Sequence, residues 1–139
     1  MTVPQEYVHA SRDFDRFMDD LLEISMLATH HQAYAVVRAV LHVFRDHLTV
    51  EQALRFAEIL PAVLRAIFVE SWHPRENPTL FPDWRILVAE VKATRRDHNL
   101  ASDSSIRDVA QALRRNVLMG DFERVLRTLP PAAQRYWLD

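Results

Sequence analysis

The chain has 139 residues, of which 49% are hydrophobic and 26% are charged, a composition typical of one globular domain with a moderate core. It has no cysteine, which excludes disulfides, thiolate metal sites and cysteine nucleophiles, and its single glycine argues against glycine-rich phosphate or dinucleotide loops. A formal net charge of −2 and a pI near 6.4 disfavour nucleic-acid binding.

Neither a targeting signal nor a membrane span is predicted. The N-terminal stretch MTVPQEYVHASRDFD lacks the apolar core of a signal peptide, and no run approaches the roughly 18 apolar residues that a span requires. Because cysteine is also absent, we expect a soluble cytoplasmic protein that folds without a metal, a cofactor or a disulfide.

Four helices are predicted in the first half of the chain. Residues 12–27 place apolar side chains on one face and acidic side chains on the other, as in an amphipathic helix. Capping boxes that begin at Thr29 and Thr49 start the next two helices. Pro61 closes the third helix and suits the first turn of a fourth, which we expect to end near Trp72.

Four more helices are predicted in the second half, after the proline-rich loop HPRENPTLFP. Proline, glycine and capping residues mark their starts, and we place these helices at about 83–96, 105–117, 120–129 and 131–137. A cap one or two residues before Ser105 is equally compatible with the pattern. The apolar stripes of both halves predict six core side chains: Phe44, Leu48, Leu60, Leu113, Val117 and Leu129.

The two halves of the sequence repeat one another. Pairing Leu60 with Leu129 sets an offset of 69 residues, the difference between the two positions, and the same offset pairs Phe68 with Trp137. One residue of slippage extends the register to the outer helices. We therefore predict an all-α fold of about eight helices in two tandem four-helix repeats.

The sequence is divided as follows: repeat one at about 12–72, a linker at about 73–82, and repeat two at about 83–138. Neither repeat has much core alone, so we expect them to pack as one pseudo-twofold domain.

A family resemblance rests on the run AYAVVRAVLHVFRDHLTVEQALRFAEILPAVLRAIFVESWHP and on the shorter second copy. The chain resembles, over nearly its whole length, the bacterial family of uncharacterised proteins known as domain of unknown function 2267. The most specific pieces are RAVLHVFRDHLTVEQA, ILPAVLRAIF and ESWHP. The resemblance implies a duplicated helical protein with glycine common at the position of Ser71, and it implies no catalytic residue or activity.

The seven histidines do not predict a metal site. No HExxH motif occurs, His30 and His31 point apart as neighbours on a helix, and His42 and His47 also diverge. We expect the histidines to lie at surface or capping positions. The acidic residues of the first helix and the serines show no catalytic arrangement, so the sequence gives no support for an enzyme.

Charge differs between the two halves. Residues 1–70 contain six Lys or Arg and ten Asp or Glu, a net charge of −4, whereas residues 71–139 contain eleven and nine, a net charge of +2. The second outer helix carries Arg85, Lys92 and Arg96 on one face, with Arg95 beside them. Such charged faces either are solvated or attract one another within the fold, or they bind an acidic partner or mediate head-to-tail self-association.

The linker between the repeats, WHPRENPTLFPDW, is the candidate binding surface. Its prolines limit the backbone freedom that an exposed loop loses on binding. Trp72, Phe81 and Trp84 supply large apolar area beside Arg75 and Glu76, a mixture typical of interface anchors. The alternative is that these aromatic side chains only pack the linker against the core.

The sequence favours a noncatalytic helical module that binds a protein partner or forms a homodimer, because its caps, stripes and duplication all serve the scaffold. The rival hypothesis is a small-molecule or metal-binding protein, or an enzyme, with a pocket between the two repeats. No position is assigned as a catalytic residue, a cofactor ligand or a metal ligand.

Overall fold

Nine α-helices form the part of the chain that the structure, a computed structural model, describes: residues 2–76, 78, 81–94 and 103–138. In chain order they are α1 (Gln5–Val8), α2 (Ala10–Ile24), α3 (His30–Asp46), α4 (Val50–Glu58), α5 (Ala62–Val69), α6 (Trp84–Ala93), α7 (Ser105–Asn116), α8 (Met119–Arg127) and α9 (Pro131–Leu138). No strand occurs among these residues, which confirms the all-α prediction. The single turn α1 was not predicted, and no described helix is long and apolar enough to cross a membrane.

The predicted capping boxes start α3 and α4. The backbone N–H of Gln32 donates to the Thr29 hydroxyl at 3.1 Å, and the N–H of Gln52 donates to the Thr49 hydroxyl at 3.2 Å. In both boxes the glutamine side chain also accepts from the N-cap N–H, so two backbone donors are satisfied at each helix start. Helix α7 differs, because its N-cap position is Ser104, which makes no side-chain cap hydrogen bond, and Ser105 is already helical. The cap therefore lies one residue before Ser105, as the alternative allowed.

Two predicted helix ends differ from the structure. Helix α5 ends at Val69 instead of near Trp72, since Glu70 is no longer helical and Ser71 has a φ of 53°. This left-handed conformation reverses the chain direction at the position where glycine is common in the family that the sequence resembles. Helix α6 ends at Ala93, and the end predicted near residue 96 lies outside the described residues.

The first helix of each predicted repeat packs on the other repeat. Helix α2 lies along α7, and helix α6 lies against α3. Helix α2 also packs on α3 and α5 of its own half, and within the halves α5 packs on α3 and α9 packs on α7. The two halves therefore share one core instead of each building its own.

Helix bounds and side-chain contacts recur at the predicted 69-residue offset. Helices α4 and α8 begin and end at positions separated by this offset, as do α5 and α9. Arg45 donates to the carbonyl oxygen of Phe68, and Arg114 donates to that of Trp137. Each arginine thus satisfies a carbonyl near the end of the last helix in its own half. These coincidences agree with the predicted duplication, while the pseudo-twofold packing stays a prediction.

Aromatic rings fill the centre of the shared core. The Phe44 ring lies 4.8 Å from that of Phe56, 4.9 Å from that of Tyr136 and 5.0 Å from that of Trp137. Such offset and edge-to-face contacts add to the free energy gained from burying the rings. The Tyr136 hydroxyl donates to the carbonyl oxygen of Val40 at 2.7 Å, so this buried polar group is satisfied.

Five of the six predicted core side chains are buried, namely Phe44, Leu48, Leu60, Leu113 and Leu129. The prediction was wrong for Val117, which is only half-buried. Val117 is the C-cap of α7 and has extended backbone angles, so the helical spacing that predicted its burial does not reach it.

We predict that Leu60→Ala costs about 2–5 kcal/mol of unfolding free energy, because the side chain is buried and its loss leaves a cavity. Leu54→Ala on α4 is the matched control, since Leu54 is 55% exposed, and it should cost within about 0.5 kcal/mol. Chemical denaturation of the purified variants measures both values. Equal losses in the two variants would contradict the burial of Leu60 and the exposed position of Leu54.

We predict that Ser71→Gly stabilises the chain by about 0.5–1 kcal/mol, because glycine adopts a left-handed φ without the steric cost of a Cβ atom. Ser71→Ala is the control, since it removes the hydroxyl but keeps the Cβ and should not stabilise. Thermal and urea unfolding of both variants provide the measurement. A glycine variant no more stable than the alanine variant would rule out strain at this corner.

Candidate functional site

Two buried polar side chains of α3, His42 and Arg45, form hydrogen bonds with backbone carbonyls at the end of α5. His42 Nε2 donates to the carbonyl oxygen of Ile67 at 2.7 Å, and Arg45 Nη1 donates to those of Phe68 at 2.9 Å and Glu70 at 2.6 Å. The carbonyls of Phe68 and Glu70 lie at the C-terminal end of α5, where the helical hydrogen-bond pattern stops, whereas the Ile67 carbonyl also accepts from the backbone N–H of Glu70 at 3.2 Å. The arrangement completes the hydrogen bonding of the fold.

The prediction that the histidines lie at surface or capping positions was wrong for His42. It lies in the middle of α3 and is buried, since α5 packs over this face of the helix. His47 is a capping residue, at the C-cap of α3, but it is buried as well. Its Nε2 lies 2.8 Å from Glu90 Oε2, which joins α3 to α6. The exposed His30 pairs with Asp19 at 2.9 Å.

Burial lowers the pKa of His42 below its ordinary value of 6.5. The hydrogen bond to the Ile67 carbonyl opposes this effect, while the nearby guanidinium groups of Arg45 and Arg38 add to it. A carbonyl oxygen only accepts, so the neutral imidazole carries its hydrogen on Nε2. The folded chain therefore holds His42 in its neutral form.

Phe81 and Trp84 of the candidate binding surface lie together against the core. The Phe81 ring is 5.6 Å from the Phe44 ring and 5.4 Å from the His47 ring. Both Phe81 and Trp84 have ring centroids 6.4 Å from that of Tyr136. Both remain half-buried, so they pack the linker against the core and still present part of their area to solvent.

The other three residues of the candidate surface lie in different surroundings. Trp72 is half-buried, and the guanidinium carbon of Arg45 lies 5.9 Å from the centre of its ring, in a cation–π contact. Arg75 and Glu76 are exposed. Phe81 and Trp84 thus share Tyr136 as a neighbour, and the described ring contacts place neither of them beside Trp72.

Three adjoining clefts run past the linker, and we call them together the Trp84 groove. The first, of about 350 Å³, is lined by Trp84, Arg85, Val88, Ala89, Lys92 and Asp103. The second, of about 420 Å³, is lined by Pro82, Asp83, Trp84, Leu87, Ala132, Arg135 and Tyr136. The third, of about 390 Å³, is lined by His47, Thr49, Gln52, Pro78, Phe81, Pro130, Pro131, Ala132 and Arg135. Trp84 lines both the first and the second cleft, Ala132 and Arg135 line both the second and the third, and both predicted repeats contribute to the walls.

One arginine side chain lies over the indole ring of Trp84, and two more line the clefts beside it. Arg85 lines the first cleft, Arg135 lines the second and third, and the guanidinium carbon of Arg107 lies 5.8 Å from the centre of the Trp84 ring. All three are exposed. None of them forms an ion pair with a carboxylate of residues 2–76, 78, 81–94 or 103–138.

The acidic face of α2 is partly neutralised within the fold, by α7. Arg115 Nη1 lies 3.4 Å from Asp20 Oδ1 and 3.1 Å from Glu23 Oε2, and the Asn116 amide donates to Asp20 at 2.9 Å. On α6, Lys92 pairs with Asp103. Of the basic face predicted for this helix, Arg95 and Arg96 lie outside the described residues.

The fold and the groove define an all-helical protein with a recurring helix pattern and an open cleft beside its linker. A family model described as uncharacterized conserved protein (DUF2267) matches residues 14–136, and the chain belongs to this family, as the sequence resemblance predicted. No curated protein matches the chain. In the part of the chain that the structure describes, no group of three or more histidine or acidic side chains is arranged to hold a metal ion.

The sequence did not identify Arg107, Arg135 or Tyr136 as neighbours of Trp84. Tyr136 and Arg135 lie on α9 and Arg107 lies on α7, far from Trp84 along the chain. Helical periodicity places a side chain on a face of its own helix but does not say which other helix packs there. The only usable signal was the concentration of arginine in the second half.

We predict that the free energy of unfolding falls as the pH falls below about 6.5, because the unfolded chain binds a proton on His42 there. The folded chain binds that proton only at lower pH, since burial lowers the pKa of His42. His42→Gln keeps a donor toward Ile67 without a titrating group, so its stability should depend less steeply on pH. Urea unfolding between pH 5 and 8 measures the slopes, with the exposed His31→Gln as control. A slope unchanged by His42→Gln would contradict this assignment.

We predict that Phe81→Ala lowers the unfolding free energy by about 1–3 kcal/mol, because the ring packs on Phe44 and His47. Arg75→Ala in the same linker should change it within about 0.5 kcal/mol, since Arg75 is exposed. Thermal unfolding separates the two effects. A Phe81→Ala variant as stable as the original chain would show that the ring does not pin the linker.

Proposed function

We propose that this chain is a noncatalytic helical module of the bacterial cytoplasm that binds a protein partner or a second copy of itself. It binds through the Trp84 groove and requires no metal or cofactor. Membranes and nucleic acids are not its partners.

The observation that supports the proposal best is that the groove is already formed in the isolated chain. Phe81 is held on the core by Phe44 and Tyr136, and proline residues 78 and 82 restrict the backbone on either side of it. A surface that is ordered before binding loses little conformational entropy when a partner docks. Half-exposed aromatic rings beside arginine side chains are also the residues that contribute most to protein interfaces.

A second candidate function has support from the third cleft. Its volume of about 390 Å³ lies within the range of small-molecule sites, and residues of both predicted repeats line it. His47, Gln52 and Arg135 supply polar groups there. Proline and aromatic side chains form most of the remaining wall, which suits a peptide backbone as well as a small apolar ligand.

Sedimentation velocity and a peptide-display selection on the purified chain test the proposed function. We expect either a concentration-dependent dimer or selected peptides that bind saturably in fluorescence anisotropy. The binding should weaken in Arg135→Gln, which changes an exposed groove residue, and should persist in Arg127→Gln, which changes an exposed residue of α8.

Two results would refute the interaction module. The first is a chain that stays monomeric at high concentration and yields no saturable peptide. The second is a small-molecule screen by thermal shift that yields ligands lost in Gln52→Ala or Arg135→Gln, while peptide binding is absent. The second result would favour the ligand-binding alternative.

A further inference from the structure

We infer that the Trp84 groove binds an acidic protein segment that carries an apolar or aromatic anchor residue. This inference rests on the proposed function, because it specifies the chemistry of the partner. The anchor is expected to contact the Trp84 ring, and the acidic side chains on either side of it are expected to pair with the three nearby arginines.

The first argument is the placement of charge around a single aromatic ring. Arg85 and Arg135 line the clefts on the two sides of Trp84, and Arg107 lies over its ring. A guanidinium offers two parallel donors that match a carboxylate. A ligand that covers the ring therefore lies close to more than one guanidinium group.

The second argument is that most acidic side chains described nearby already pair with a basic side chain. Asp103 pairs with Lys92, and Glu90 pairs with His47. Asp83 is the N-cap of α6, where its carboxylate accepts from the backbone N–H of Arg85 and keeps its negative charge. Among the described residues, no carboxylate forms an ion pair with Arg85, Arg107 or Arg135, so these three cations outnumber Asp83 beside Trp84 although the whole chain carries a net charge of −2.

The third argument concerns the size of the positive surface. The first half of the chain has a net charge of −4, so a long polyanion would be repelled beyond the groove. A short acidic segment gains the local attraction without this cost. The acidic helix α2 of a second copy suits the groove less well, because Asp20 and Glu23 already pair with Arg115, and Asp19 already pairs with His30.

The probe is a fluorescein-labelled peptide of alternating Glu and Leu residues with one central Phe. Two matched peptides replace every Glu by Gln or by Lys. Fluorescence anisotropy with the full chain gives the Kd of each. We expect the Glu peptide to bind at least about tenfold more tightly than the Gln peptide, with an affinity that falls as salt rises, and the Lys peptide to bind least.

The variant series separates the groove from overall charge. Arg85→Gln, Arg107→Gln and Arg135→Gln are each expected to weaken binding of the Glu peptide by about 2–5-fold, as exposed ion pairs usually do. The triple variant should weaken it by about tenfold or more. A control triple variant of exposed arginines outside the groove, Arg12→Gln, Arg124→Gln and Arg127→Gln, removes the same charge and should leave the Kd within about twofold. Thermal unfolding of every variant confirms that each remains folded.

Several outcomes would overturn the inference. If the Glu and Gln peptides bind equally and the groove variants weaken both, the chain binds peptides without preferring acidic ones, and the proposed function survives alone. If no peptide binds and the chain stays monomeric, both proposals fail. An oligothymidylate that competes at the same residues would identify a nucleic-acid site, and a dimer abolished by the groove variants would identify a second copy as the occupant.

Discussion

The rest of the structure depends on one constraint, which is that the first helix of each predicted repeat packs on the other repeat. Helix α2 lies on α7 and helix α6 lies on α3, so each half covers part of the core of the other. Two polar pairs at these contacts occupy corresponding positions: Asn116 donates to Asp20 at 2.9 Å, and His47 Nε2 lies 2.8 Å from Glu90. Positions 47 and 116 are related by the repeat offset, and positions 20 and 90 by the same offset with one residue of slippage. A half of this size cut from the chain would expose the apolar faces that this packing covers.

The packing of α6 on α3 also explains where the described part of the linker lies. Helix α5, which ends before the left-handed Ser71, and helix α6 both pack on α3. Phe81 packs on Phe44 of α3, and Trp84 follows at the start of α6 beside Tyr136. The second and third clefts of the Trp84 groove are lined by these linker residues or their neighbours and by α9. Its position is thus a consequence of how the halves share their core.

The function we propose resides where the two halves differ. Arg45 and Arg114 hold equivalent carbonyls, and α4 and α8 have equivalent bounds, so these features maintain the scaffold. The capping box at Thr49 has no counterpart at α8, whose N-cap is the exposed Leu118. The linker lies between the two predicted repeats, outside their register, and this is where we propose that binding occurs.

Local physical chemistry made much of the fold predictable from the sequence. The capping boxes at Thr29 and Thr49, the apolar stripes through Phe44 and Leu113, and the all-helical class depend on residues close along the chain, and a single sequence displays them directly. Val117 departs from this pattern because the helix ends before it.

The surroundings of the candidate site were decided by the tertiary structure. The sequence selected Phe81 and Trp84 but not Arg107, Arg135 or Tyr136, and it placed His42 at the surface although α5 buries it. Helical periodicity fixes which side of a helix is apolar, whereas the helix that covers that side depends on how the whole chain shares its buried surface. The sequence by itself therefore determined the helical class and most of the helices, because caps and apolar stripes are local, whereas only the packing of α6 on α3 and of α9 near the linker decided which charged side chains lie beside Trp84.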